Sequence, residues 1–209
     1  MLHNKEKCYY EHLAKLVLEG LFPQKYVKLI ERDKPDLLTD SGLGVEVTRA
    51  LYSGDAESSS LFQYPRNQNN KNTLRTRSRI NKLGYEVIEI NGVPAGIMPK
   101  EAIWETTKEI EEAFIKKLNK IEQYTERVDL FIFAPSFDCY DIDMMIEFTK
   151  WAKEEMENAN KKFGFVYVFD YFSIYECDLD NQSATRRIIQ KDKVGEWVDE
   201  SRKLLVQYD

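Results

Sequence analysis

Two acids separated by nine residues, Asp36 and Glu46, are the pair in this chain best spaced for metal-assisted chemistry. They flank Asp40-Ser41-Gly42, a turn cluster with a glycine where positive φ is cheap, so Lys34 to Arg49 reads as a tight β-hairpin. Leu37 and Leu38 lead into the turn, and Leu43 to Thr48 alternates as the returning strand. With the turn centred on Ser41, Asp36 falls directly opposite Glu46. Opposed residues of an antiparallel pair have Cβ atoms about 4.5 to 5.5 Å apart, so two carboxylates there repel unless a cation sits between them. A divalent metal is the simplest such cation. The same register puts Gly44, Glu46 and Thr48 on the carboxylate face, and Leu43, Val45 and Val47 on a face that can be buried.

Other residues could join this chemistry. Residues 6 to 21 carry apolar side chains at 10, 13, 14, 17, 18 and 21, which predicts a first helix ended by Gly20 and Pro23. Glu11 lies at the edge of that stripe, where it either leans over the sheet as a third ligand or snorkels at the boundary. A second feature is the run from Arg66 to Lys82. It holds Arg66, Lys71, Arg75, Arg77, Arg79 and Lys82 and no acid, in a chain of formal net charge -6. If Thr73 to Leu83 is helical, Arg75, Arg79 and Lys82 share one face at a spacing that follows a phosphate backbone. The alternative is a solvated helix face, but six cations without a compensating acid favour phosphate. Asp138, Asp141 and Asp143 are read as a helix cap and its neighbours rather than as a second metal site.

Pro35-Asp36, nine residues, and then Glu46-Val47-Thr48 resembles the PD-(D/E)XK nuclease signature, with threonine where that signature ends in lysine. The resemblance implies that Asp36 and Glu46 ligate Mg²⁺ or Mn²⁺, that Val47 lends its backbone carbonyl, and that Glu11 supplies the acid many such proteins carry on their first helix. It also implies nucleic acid as the partner, DNA before RNA, and allows a homodimer. Oxygen ligands suit a hard cation, and cleavage of a phosphodiester requires its new charge to be neutralised. Thr48 is neutral at pH 7, so either activity is lost or an ammonium arrives from elsewhere. Lys117 and Lys120, on a helix predicted from Pro99 to Tyr124, are favoured over Lys34, which lies opposite Thr48 where Pro35 interrupts pairing. Lys120 and Tyr124 also loosely resemble the Gln-x-x-x-Tyr helix that some of these nucleases set beside their metals.

The elements that must position these groups follow from periodicity. Tyr26 to Arg32 reads as a strand before the hairpin, giving the α-β-β-β opening of the nuclease core, and residues 53 to 72 read as a long loop. Tyr85 to Ile90 alternates as a strand that stops at Asn91-Gly92. The helix from Pro99 carries a stripe of Ile103, Thr107, Ile110, Phe114, Leu118 and Ile121. Val128 to Ala134 and Phe165 to Phe169 are continuous apolar runs around a helix at about 142 to 159, which predicts a parallel central pair. Ser173 to Cys177 is expected as an edge strand, and Arg187 to Tyr208 as a terminal helix broken at Gly195.

At 209 residues the chain is expected to be a single domain, residues 1 to 209. No apolar run approaches the ~20 residues of a membrane span, and three scattered cysteines suit reduced thiols in a cytoplasm. Only His3 and His12 are present, which leaves little for zinc chemistry and only His12 as a histidine base. The expected fold is a three-layer α/β fold of the restriction-endonuclease-like type, a mixed β-sheet flanked by helices. The expected function is Mg²⁺-dependent hydrolysis of phosphodiesters in nucleic acid. The alternative is a catalytically inactive nuclease-like domain that binds nucleic acid or a protein partner.

Overall fold

The computed structural model describes residues 2–50, 61, 71–99, 107–124, 127–134 and 140–206. Its centre is a seven-stranded mixed sheet. In chain order the elements are helix α1 (Leu2–Leu21), strands β1 (Ile30–Glu31), β2 (Leu37–Leu38) and β3 (Leu43–Arg49), helix α2 (Lys71–Lys82), the hairpin β4 (Tyr85–Ile90) and β5 (Val93–Pro99), and helix α3 (Lys108–Leu118). A 3₁₀ turn (Ile121–Gln123) leads to β6 (Arg127–Phe133), followed by α4 (Ile142–Glu155), β7 (Phe165–Phe169), β8 (Ser173–Asp178), β9 (Ser183–Ile188) and α5 (Lys191–Val206). The sheet order is β1-β2-β3-β6-β7-β8-β9, with β4 and β5 as a separate two-stranded sheet. β3, β6 and β7 run parallel, and every other pairing is antiparallel.

Strand alternation divides the core into two halves. Val45, Val47, Phe131, Phe133, Tyr167 and Phe169 pack on one face with Tyr10, Leu13, Val17 and Leu18 of α1 and Trp197 of α5. Leu130, Ile132, Val166 and Val168 pack on the other with Ile110 and Phe114 of α3 and Met145 and Phe148 of α4. A Val, Leu or Phe side chain taken fully out of water contributes about 1.5 to 3 kcal/mol, so the two faces fix the strand register. Gly20 does not end α1. A Cβ there would come within 2.6 Å of Trp197 Cζ2, so the missing side chain lets α5 close onto α1.

The hairpin β4-β5 forms a further layer. Ile88, Ile90 and Ala95 join the α1 side of the core. On its other face Val87, Ile97 and Tyr85 pack with Ile80 of α2. Tyr9 and Tyr171 both donate from their hydroxyls to Ala95 O, at 3.2 and 2.8 Å, and so tie the hairpin to the main sheet.

Several expectations are corrected. The strand predicted over Tyr26 to Arg32 is only Ile30–Glu31, because Lys28 sits at φ 55 and Tyr26 is buried in the core from a turn. Pro99 belongs to β5, and the helix predicted from Pro99 to Tyr124 is described only as Lys108–Leu118 with the separate 3₁₀ turn. Ile103 lies outside the described residues. Ser173 to Cys177 is a strand but not an edge, since β9 pairs with it. The terminal helix begins at Lys191 and runs through Gly195, where a Cβ would come within 2.5 Å of Asn91 Nδ2. Most of the loop predicted over 53 to 72 lies outside the described residues, while Lys71 already begins α2. Asp141 caps α4 by accepting from Met144 N at 2.8 Å, Asp143 follows in the first turn, and Asp138 lies outside the described residues. Among the described residues no helix is long and apolar enough to cross a membrane.

Candidate functional site

β2 pairs with β3 as Leu37↔Val45 and Leu38↔Gly44, the register expected from a turn centred on Ser41. Gly42, at φ +83, supplies the left-handed residue of that turn. Continuing this register one step puts Asp36 across from Glu46. Pro35 explains how Asp36 is held there. A Cβ on Gly44 would come within 2.5 Å of Pro35 Cγ, so the proline ring lies against bare backbone in a space that only glycine leaves. Both acids are buried, Asp36 at 1% and Glu46 at 6% relative exposure.

Lys117 reaches the pair from the last turn of α3. Its Nζ lies 2.5 Å from Glu46 Oε1 and 3.9 Å from Asp36 Oδ2. Asp36 Oδ2 also accepts from Val47 N at 2.8 Å, which locks that carboxylate to the strand bearing its partner. Tyr124, just after the 3₁₀ turn, is buried with its phenol beside the Glu46 carboxylate. Glu46 Oε2 is buried with no hydrogen-bond partner. Burial, then the Asp36 charge, hold the Glu46 carboxyl above its ordinary range against the opposing pull of Lys117 and Tyr124. Burial, then the Glu46 charge, push the Tyr124 phenol up, so it stays protonated as a donor at neutral pH.

Of the two helix lysines, the fold therefore places Lys117 at the carboxylates. Lys120 is exposed and precedes the 3₁₀ turn, because the helix ends at Leu118 and the expected i, i+4 relation between Lys120 and Tyr124 is lost. Lys34 Nζ donates instead to Gln123 Oε1 at 3.5 Å, at the surface. Thr48 is half-buried, two residues beyond Glu46 on the same strand face. Glu11 is buried at 6%, but on α1, whose core partners Val45 and Val47 lie on the opposite sheet face. Among the described residues no group of three or more His, Cys, Asp or Glu side chains is close enough to hold a metal, so Glu11 is not gathered with Asp36 and Glu46. His12 Nδ1 lies 2.6 Å from Glu31 Oε1, away from the carboxylate pair on the other face of the sheet.

A dedicated three-carboxylate cage is therefore absent among the described residues. Mg²⁺ commonly uses one or two carboxylates with water and phosphate completing its shell, and the opposed pair with the open Glu46 Oε2 fits that donor count. On α2, Arg75, Arg79 and Lys82 are exposed on the side away from the buried Ile80, whereas Arg77 Nη1 is held by Glu89 Oε1 at 2.5 Å. Arg66 lies outside the described residues, and Lys71 opens the helix.

The sequence reading missed a second buried carboxylate–lysine pair. Asp129, in the middle of the apolar run of β6, is fully buried. Its Oδ2 lies 2.9 Å from Lys25 Nζ and accepts from Tyr26 Oη at 2.7 Å, while Oδ1 accepts from Phe165 N at 2.9 Å. Lys25 also donates to Tyr167 Oη at 2.9 Å and sits 3.4 Å from the Phe165 ring centroid. The available signal was one acid inside a run otherwise fit for a central strand.

Fold and site together define an α/β protein whose mixed sheet carries a buried, opposed carboxylate pair bridged by a lysine from an overlying helix. No protein-family model, curated protein or solved structure matches the chain.

Proposed function

We propose that the chain is a Mg²⁺-dependent phosphodiesterase of the restriction-endonuclease-like type, acting on nucleic acid. The observation that carries this reading is the Asp36–Glu46 pair with the Lys117 ammonium between its carboxylates. The helix followed by a three-stranded antiparallel meander supports the fold-level part, since the nuclease core opens in that order.

Asp36 and Glu46 would hold the ion, which when bound neutralises charge on the phosphodiester and lowers the pKa of coordinated water. Burial beside Tyr124 holds the Glu46 carboxylate in place, so its unpartnered oxygen is preorganised. Lys117 replaces the lysine absent at Thr48 and stabilises negative charge developing on the phosphoryl oxygens, a role typically contributing 10² to 10³ in rate for one such donor. The outward face of α2, with Arg75, Arg79 and Lys82, supplies phosphate contacts that position the chain without reading its sequence.

The test is hydrolysis of linear and supercoiled DNA, single-stranded DNA and RNA with Mg²⁺ or Mn²⁺, comparing wild type with Glu46→Gln, Lys117→Met and Thr48→Lys. Cleavage by wild type, its loss in Glu46→Gln and a fall of about 10² or more in Lys117→Met are expected. If wild type cuts nothing that Glu46→Gln does not, while Thr48→Lys gains activity, the protein is an inactive descendant whose function is binding.

A further inference from the structure

We infer that Lys117 is the resident counter-ion of the carboxylate pair, and that a divalent cation binds by exchanging with it. This rests on the metal-binding reading above and concerns what must leave when the ion arrives.

Two opposed, buried carboxylates require positive charge between them, and here the charge comes from the chain itself. Lys117 Nζ is 2.5 Å from Glu46 Oε1 and within 4 Å of Asp36 Oδ2, at 3.9 Å. Its side chain is only 15% exposed. A divalent ion held by the same two carboxylates would compete with the ammonium for them. Two such cations in contact repel strongly in a poorly solvated site, so the two occupancies exclude each other.

The local structure allows the exchange without refolding. Lys117 is the penultimate residue of α3, and its four-carbon stem can swing by rotamer changes alone. Asp36 is held by Val47 N and Glu46 is buried beside Tyr124, so the carboxylates keep their places when Lys117 swings away. Glu46 Oε2 is buried with no hydrogen-bond partner, so it is the oxygen of the pair that a cation would satisfy. The Lys25–Asp129 pair offers no such route, because the Asp129 oxygens are occupied by Tyr26 and by the Phe165 backbone as well as by Lys25. Exchange also frees the ammonium to meet a phosphate.

The experiment is calorimetric titration of Mn²⁺ alone into the full chain, as wild type, Lys117→Met, Lys117→Gln and Glu46→Gln. Wild type should bind, Glu46→Gln should not, and either Lys117 variant should bind at least tenfold more tightly than wild type. Removing a ligand-positioning or merely structural lysine would weaken binding instead. A second measurement needs no variant: mass-spectrometric footprinting with an amine-reactive reagent should label Lys117 several-fold faster with Mn²⁺ than without, while Lys25 labelling stays unchanged. Equal or weaker Mn²⁺ binding in both Lys117 variants, or Lys117 labelling that Mn²⁺ does not raise, overturns the exchange while leaving metal binding intact. No Mn²⁺ binding by any of the proteins overturns both the exchange and the reading beneath it.

Discussion

The chain buries two carboxylate–lysine pairs on one sheet and treats them differently. Asp129 is surrounded: Lys25 and Tyr26 share one oxygen and the Phe165 amide takes the other. Glu46 is left open, with one oxygen on Lys117 and the other buried and unmatched. A buried charge is tolerated when its partners are complete, and an incomplete set costs stability. The first arrangement therefore reads as a device that pins the start of β7 and the α1–β1 turn to β6. The second keeps its cost standing, as a site does when a ligand is meant to repay it.

The largest effect expected from this contrast concerns stability. Asp129→Ala strands the Tyr26 hydroxyl and the Phe165 amide and removes the partner of a mostly buried lysine, so it should cost about 3 kcal/mol or more of unfolding free energy. Asp36→Asn keeps an acceptor for Val47 N and removes one of two opposed like charges, so it should stay within about 1 kcal/mol of wild type or rise above it. Chemical denaturation at pH 7 checks both. Equal losses at the two positions would erase the distinction between a closed pair and an open one.

A difference in exposure along α2 gives an intermediate expected effect. Arg77 is engaged by Glu89, whereas Arg75, Arg79 and Lys82 are exposed opposite the buried Ile80. Replacing those three by glutamine should weaken nucleic-acid binding alike for different sequences and flatten the log–log salt dependence by about 3, close to one unit per lost phosphate contact. Arg77→Gln should leave the slope nearly unchanged and lower the melting temperature instead. A slope that the triple replacement does not move would make the outward face of α2 merely solvated.

How far the open site could be read in advance depended on local rules. The hairpin register needed only Gly42 and the alternation of β3, and both hold in the structure. The parallel pair β6 and β7 needed only two continuous apolar runs around a helix, and α4 likewise lies close to where it is expected. Distance-dependent features were hidden. Lys117 prevailed over Lys120 because α3 ends at Leu118, and nothing in the apolar stripe through Leu118 and Ile121 signals that break. β5 contains Pro94 and Gly96, residues that argue against a strand, yet tertiary contacts from Tyr9 and Tyr171 hold it. β9, Ser183–Ile188, is almost wholly exposed and so shows no alternation, which let Arg187 and Ile188 pass for helix. The closed pair was invisible because Lys25, Tyr26, Asp129 and Phe165 meet only in the folded chain, and no short spacing joins them.

The smallest effect sharpens the comparison through pH, because the two pairs should tilt stability in opposite directions. Burial raises the Glu46 carboxyl above its ordinary 4.5, so the folded protein keeps that proton to higher pH than the unfolded chain does. Stability from this group is fully present below about pH 4.5 and is lost as pH rises through the elevated value. Burial lowers Lys25 below its ordinary 10.5, so in the window just under that value the unfolded chain binds the proton more tightly, and stability rises with pH there. Denaturation midpoints of metal-free protein, taken from about pH 4 to 7 and from about pH 9 to 11, should fall across the acid window and rise across the alkaline one for these groups. The signature is read as the difference from Glu46→Gln in the first window and from Lys25→Met in the second. If the Glu46→Gln difference has the sign of a carboxylate stabilised by its lysine, the Lys117 contact outweighs burial, and the open pair is as settled in its metal-free form as the closed one.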